Sequence, residues 1–138
     1  MPEPSVRKPA LVRAESATPR SATPQLRARK CECGHVFFPP QAYGCERCGR
    51  PPGAQTEAPL DARGVLTALA AVRVHTKRPV PYWVGRIALD GGPVIDGVLT
   101  EADALAIGKR VVGRLVPVAD ASGVEALDCL FAPEEQAP

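Results

Sequence analysis

The chain has 138 residues, enough for one ordinary domain or for a small domain with a metal-stapled module beside it. With 16 Pro, 12 Gly and only 4% aromatic residues, it favours turns, linkers and short strands over long helices. No run approaches the roughly 18 consecutive apolar residues of a membrane span, and the basic N-terminus lacks the apolar stretch of a secretory signal, so a soluble, cytoplasmic protein is expected.

The formal charge of +2 conceals an asymmetry. Residues 1–59 carry 9 Lys/Arg against 5 Asp/Glu, whereas residues 60–138 carry 8 against 10. A nucleic-acid binder usually places its basic footprint on the folded platform. Here the larger platform is slightly acidic, which argues against that class.

Residues 1–30 are rich in Ala, Pro, Ser, Thr and Arg and show no apolar period. Prolines at 2, 4, 9, 19 and 24 interrupt any helix. The segment reads as a disordered basic arm, or as one that orders against an acidic partner surface. Residues 31–50 form a cysteine-rich module. Residues 51–59 read as a short linker stiffened by Pro51 and Pro52.

Residues 60–134 read as five strands, with 135–138 as a tail. Gly64 to His75 alternates, setting Leu66, Ala68, Ala70, Val72 and Val74 on one face. Tyr82 to Leu89 is the second strand, closed by the hairpin signal Asp90-Gly91-Gly92. Pro93 to Leu99 is the third. Thr100-Glu101-Ala102-Asp103 then resembles an N-cap with an acidic first turn, opening a short helix that stops at Gly108. Lys109 to Val118 sets Val111, Gly113 and Leu115 opposite Arg110 and Arg114. Val124 to Phe131 sets Leu127, Cys129 and Phe131 on one face. Five strands with one short helix between the third and fourth predict an all-β protein containing an OB-fold barrel.

Four of the five cysteines, Cys31, Cys33, Cys45 and Cys48, follow the spacing C-x-C-x11-C-x2-C. Two close pairs on tight turns can direct four thiolates at one tetrahedral ion, which points to structural zinc. Gly34 and Gly49 each follow a pair, where the turn favours positive φ. So short a module buries little core, and zinc binding, worth roughly 10–16 kcal/mol in small fingers, is what could hold it. Two disulfides or a redox Cys45-x-x-Cys48 is the alternative, and His35 is an alternative ligand to Cys31. Four thiolates leave no open position, so such an ion would be structural rather than catalytic. Cys129, on the apolar face of the last strand, reads as a small core hydrophobe, with a nucleophile as the alternative.

Cys33-Gly34, Phe38-Pro39-Pro40, Tyr43-Gly44-Cys45 and Cys48-Gly49 resemble the rubredoxin-like zinc ribbon of a bacterial and archaeal family. That family joins the ribbon to an OB-fold and is associated with thiolases and acyl-CoA metabolism. Gly64-Val65-Leu66, Ile87-Ala88-Leu89-Asp90-Gly91, the run from Asp103 to Val111 and Phe131-Ala132-Pro133 are similar to its barrel. The resemblance spans about residues 31–134, in the expected order. Three departures are visible: Gln41 stands where Arg is common, the first knuckle is C-x-C rather than C-x2-C, and the arm is rich in proline rather than helical.

The resemblance implies a non-catalytic subunit, not an enzyme in itself. It would pair with a thiolase-like or ketosynthase-like catalytic subunit, stabilise it and help enclose the CoA portion of an acyl-CoA thioester. Some relatives accompany hydratases or aldolases. The run from Arg73 to Trp83 carries cations beside aromatics, as a CoA helper needs. On this reading Lys77 and Arg78 meet CoA phosphates, and Tyr82 or Trp83 packs at the partner interface. The plainer alternative is a solvated hairpin loop with Trp83 in the barrel core. Asp90, Asp96 and Asp103 read as turn and cap residues. Two rival functions stay open: a nucleic-acid-binding zinc-ribbon/OB protein, and an assembly scaffold without CoA contact.

Overall fold

In the computed structural model, residues 6–13, 23–41, 43–75, 80–120 and 122–134 are described. The alternating run from Gly64 onward becomes the first barrel strand, and four further strands close on it. Numbered along the chain, the strands are β1 (Gln25–Cys31), β2 (Val36–Phe37), β3 (Gln55–Asp61), β4 (Arg63–Val72), β5 (Tyr82–Leu89), β6 (Val94–Leu99), β7 (Arg110–Ala119) and β8 (Glu125–Pro133). The last five form a closed barrel in the order β4-β5-β6-β8-β7. β6 and β8 run parallel, meeting at Leu99 and Phe131, and the other neighbours are antiparallel. That order is the one expected of an OB-type barrel. No helix among the described residues is long and apolar enough to cross a membrane.

Alternation decides which side chains fill the barrel. Leu66, Ile87, Leu89, Ile95, Leu99, Val111, Leu115, Leu127 and Phe131 form one buried cluster. Each fully buried apolar side chain of this size contributes about 1.5–3 kcal/mol. On β7 the expected division holds, with Val111, Gly113 and Leu115 buried and Arg110 and Arg114 exposed.

The expected face of β4 is corrected by a bulge. Leu66 pairs with Ile87 but Ala68 pairs with Arg86, so Thr67 is an extra residue. One inserted residue flips the side-chain phase. Leu69 therefore packs toward the core, while Ala68 and Ala70 stay exposed.

The expected helix from Thr100 to Gly108 is also corrected. Only a single 3-10 turn, Ala102–Ala104, is present, and Glu101 has a left-handed φ of 56° with no side-chain cap. The backbone here is committed elsewhere. Gly108 N–H donates to Leu66 O at 2.7 Å, and Leu66 N–H donates to Lys109 O at 2.9 Å, extending the seam between β4 and β7.

Two boundaries shift as well. β1 lies within the segment assigned to the arm, and β3 covers most of the assigned linker. The two pair along their whole length, from Gln25 with Asp61 to Cys31 with Gln55. Local composition hides this, because each strand is completed only by a partner on the far side of the cysteine module. Pro59 is tolerated because β3 lies at the edge of the sheet β2-β1-β3.

Part of the arm rests on this chain's own barrel. Val12 is buried in the barrel cluster together with Leu26 of β1. Arg7 N–H donates to Leu127 O at 3.0 Å, and its guanidinium pairs with Asp128 at 3.0 Å and reaches Val118 O. Leu11 O accepts from Arg27 N–H at 2.7 Å. The remainder of the arm and the tail at 135–138 lie outside the described residues.

Candidate functional site

β1 ends on Cys31, so a regular strand delivers the first thiol. Cys31 N–H donates to His35 O at 2.9 Å, closing the hairpin onto β2, and Gly34 N–H donates back to Cys31 O at 2.8 Å. This tight turn lets the short C-x-C spacing bring Cys33 round, with Gly34 at φ 97°. The second knuckle has the same logic. Gly49 N–H donates to Cys45 O and Cys45 N–H to Arg50 O, both at 2.8 Å, with Gly49 at φ 79°. A side chain at either glycine would be strained in that left-handed region.

The four sulfurs converge, all lying within 4.8 Å of one another. Cys31 Sγ is 3.6 Å from Cys48 Sγ, and Cys33 Sγ is 3.8 Å from Cys45 Sγ. A disulfide needs about 2.05 Å, so these pairs are not bonded. Four sulfurs at about 2.3 Å from a tetrahedral ion would stand about 3.8 Å apart. The arrangement is compatible with one metal ion.

Electrostatics fit a cation at the centre. The Arg50 backbone N–H donating to Cys48 Sγ at 3.4 Å pulls that thiol down to about 6. The Cys33 backbone N–H draws Cys31 down too, but burial and the neighbouring sulfurs carry it up to about 11. Crowded thiols cannot all ionise without a compensating positive charge. Arg47 N–H donates to Cys45 Sγ at 3.4 Å, and the Arg50 guanidinium lies 3.5 Å from Cys48 Sγ.

His35 lies outside the four-thiol group. Its Nε2 meets Glu46 Oε1 at 2.9 Å, tying one knuckle to the other, and its ring stacks on Phe37. The sequence reading missed Gln55, the buried polar residue paired with Cys31. Its amide donates to Tyr43 O at 3.1 Å, and its side-chain and backbone oxygens accept from Arg29. Gln55 thus ties the second knuckle to the sheet. A polar residue inside a presumed linker gave no local signal of that role.

The other candidates divide. Lys77 and Arg78 lie outside the described residues. Tyr82 and Trp83 open β5. Tyr82 sits edge-on to the His75 ring with centroids 5.7 Å apart. Trp83 is 37% exposed, opposite Ala71 and Leu99, rather than in the barrel core. Two of the exposed carboxylates, Asp90 and Asp96, have structural partners. Asp90 pairs with Arg110 at 2.5 Å, which holds its carboxyl below the usual range, and Arg110 also pairs with Glu134 at 2.9 Å. Asp96 is a strand residue, paired across β5–β6 with Arg86 at 3.2 Å.

Cys129 packs against the barrel cluster, and burial pushes its thiol up to about 12. Iodoacetamide at pH 8 is therefore expected to leave Cys129 unmodified in the folded protein and to label it after denaturation, as mapped by peptide mass spectrometry. Labelling of the folded chain at the rate of a free thiol would contradict the core assignment.

No protein-family model matches the sequence, and no curated protein matches it. Among solved structures, a chain described as "Ltp2-ChsH2(DUF35) aldolase" matches with a TM-score of 0.62 and 22% identity, over 86% of this chain and 89% of that one. The two chains share a fold.

Proposed function

We propose that this chain is a non-catalytic accessory subunit of an acyl-CoA-processing enzyme, with a catalytic partner of thiolase, ketosynthase or aldolase type. The observation that carries the reading is the near full-length likeness to a chain of the Ltp2-ChsH2(DUF35) aldolase, combined with a four-thiol cluster at the ribbon. On this reading the ion is zinc, held by Cys31, Cys33, Cys45 and Cys48. Four thiolates close its coordination shell, so it serves the fold and leaves chemistry to the partner. Lys77 and Arg78 contact CoA phosphates. Tyr82 and Trp83 face the catalytic subunit.

Co-expression with the thiolase-, ketosynthase- or aldolase-type enzyme encoded beside this chain tests the reading. The expected result is one complex on size-exclusion chromatography and higher enzyme activity than without the subunit. Absence of both a complex and an activity change refutes it. Within a complex, Lys77→Ala with Arg78→Ala should raise KM for the acyl-CoA several-fold while leaving association intact. An unchanged KM would remove the CoA contacts and leave a scaffold. Salt-sensitive binding of a single-stranded oligonucleotide, without a complex, would favour nucleic-acid binding instead.

A further inference from the structure

The four thiols of the cluster are not equivalent. Cys31 and Cys45 are buried, whereas Cys33 and Cys48 are exposed. The two exposed sulfurs differ in what reaches them. Cys48 Sγ accepts from the Arg50 backbone N–H at 3.4 Å, and the Arg50 guanidinium lies 3.5 Å away. The buried sulfurs are served as well, Cys45 by the Arg47 N–H at 3.4 Å and Cys31 by the Cys33 N–H. Among the described residues, Cys33 Sγ meets only neighbouring sulfurs, with Cys45 Sγ at 3.8 Å. Gly34 beside it carries no side chain, and nothing lies within 4 Å of where one would begin.

These differences set reactivity. A donor N–H or a cation on a thiolate draws electron density from the sulfur, and nucleophilicity falls as basicity falls. Exposure decides whether a reagent arrives at all. Cys31 and Cys45 are closed to reagents by burial, and Cys48 is quietened by both groups of Arg50. Cys33 alone of the four combines an open approach with a sulfur that no N–H or cation restrains among the described residues.

We propose that Cys33 is the modification site of the metal centre, the ligand through which hydroperoxides and other electrophiles open it, with Cys45 as the resolving thiol. This rests on the zinc reading and goes beyond it by naming which ligand reacts. The Cys33 thiolate attacks one oxygen of hydrogen peroxide, the O–O bond breaks, and hydroxide leaves a sulfenic acid on the sulfur. The Cys45 thiolate then attacks that sulfur, the S–O bond breaks, and a second hydroxide leaves a Cys33–Cys45 disulfide. The peroxide is reduced and the two thiolates are oxidised. Two of the four ligands are thereby withdrawn, and a thiol reductant restores them.

The test uses the zinc-loaded wild-type chain, because Cys33→Ser removes a ligand and may not hold the fold. Limiting iodoacetamide at neutral pH, mapped by peptide mass spectrometry, should label Cys33 about tenfold faster than Cys48. Zinc release, followed with a chromogenic chelator, should keep pace with Cys33 modification. Hydrogen peroxide should give the Cys33–Cys45 disulfide, and dithiothreitol with added zinc should reverse it. Arg50→Gln should raise labelling of Cys48 about threefold while leaving the rate at Cys33 unchanged. Equal labelling of Cys33 and Cys48 in the zinc-loaded chain, or a first peroxide product at Cys31–Cys48, overturns this proposal alone. A purified chain that holds no zinc overturns the zinc reading and this proposal with it.

Discussion

Removing the metal with a chelator, or replacing Cys45 by serine, is expected to unfold the cysteine module while the barrel stays folded. The module has little else to hold it. β2 is only Val36–Phe37, and among the described residues between 32 and 50 the buried side chains are Phe37 and Cys45. Burying one such aromatic contributes about 1.5–3 kcal/mol, whereas zinc in a four-ligand site contributes roughly 10–16 kcal/mol of apparent folding energy. The barrel depends little on this module, since among the described residues of 32–50 its cluster takes only Phe38, as a partly buried neighbour. Metal analysis should find about one zinc per wild-type chain and none tightly held by Cys45→Ser. Limited proteolysis should then cut between Cys33 and Cys48. Cys31→Ser should behave alike, because Cys31 is as buried as Cys45 and joins the same sulfur group. Full retention of zinc by Cys31→Ser would instead transfer its place to another donor, with His35 the nearest in sequence. A metal-free wild-type module that resists protease would refute the structural role of the ion.

The second large effect lies at the seam of the barrel. Gly64 sits between β5 and β7, opposite Leu89 on one side and Val111 on the other. A Cβ there would fall 2.1 Å from Ala88 O and 2.8 Å from Leu89 Cα. Both are backbone atoms of a paired strand, so relief requires moving the strand rather than a side-chain rotation. Overpacking of this kind costs up to about 3 kcal/mol, occasionally more. The unfolded-state gain from replacing glycine is about 0.4–1 kcal/mol and does not offset it. Gly64→Ala should therefore lower Tm by about 8 °C or more, on a scale of about 4–8 °C per kcal/mol for a domain of this class. Gly53→Ala is the control, because nothing lies within 4 Å of its added Cβ. Equal melting of the two variants would mean that the seam relaxes where close packing says it cannot.

These two sites also mark how far local pattern reaches. Cys31, Cys33, Cys45 and Cys48 were legible from spacing, because a tetrahedral site asks for two close pairs on glycine-bearing turns, and both turns are local. The strand Tyr82–Leu89 was legible to the residue, since alternation and the Asp90-Gly91-Gly92 turn bound it. Gln55 was not. Its burial depends on β1 lying beside β3, a pairing across the whole cysteine module.

The chain's sequence by itself therefore determined the four-thiol module, the five barrel strands and the inward faces of β7 and most of β8, all set by periods and spacings of a few residues. Tertiary structure alone decided that Gln25–Cys31 and Gln55–Asp61 are strands, that Thr67 is a bulge, and that Thr100–Gly108 contributes one 3-10 turn. In each case the deciding hydrogen bonds come from residues distant in sequence, whose backbone groups had to be satisfied on closing the sheet, and no local propensity competes with that requirement.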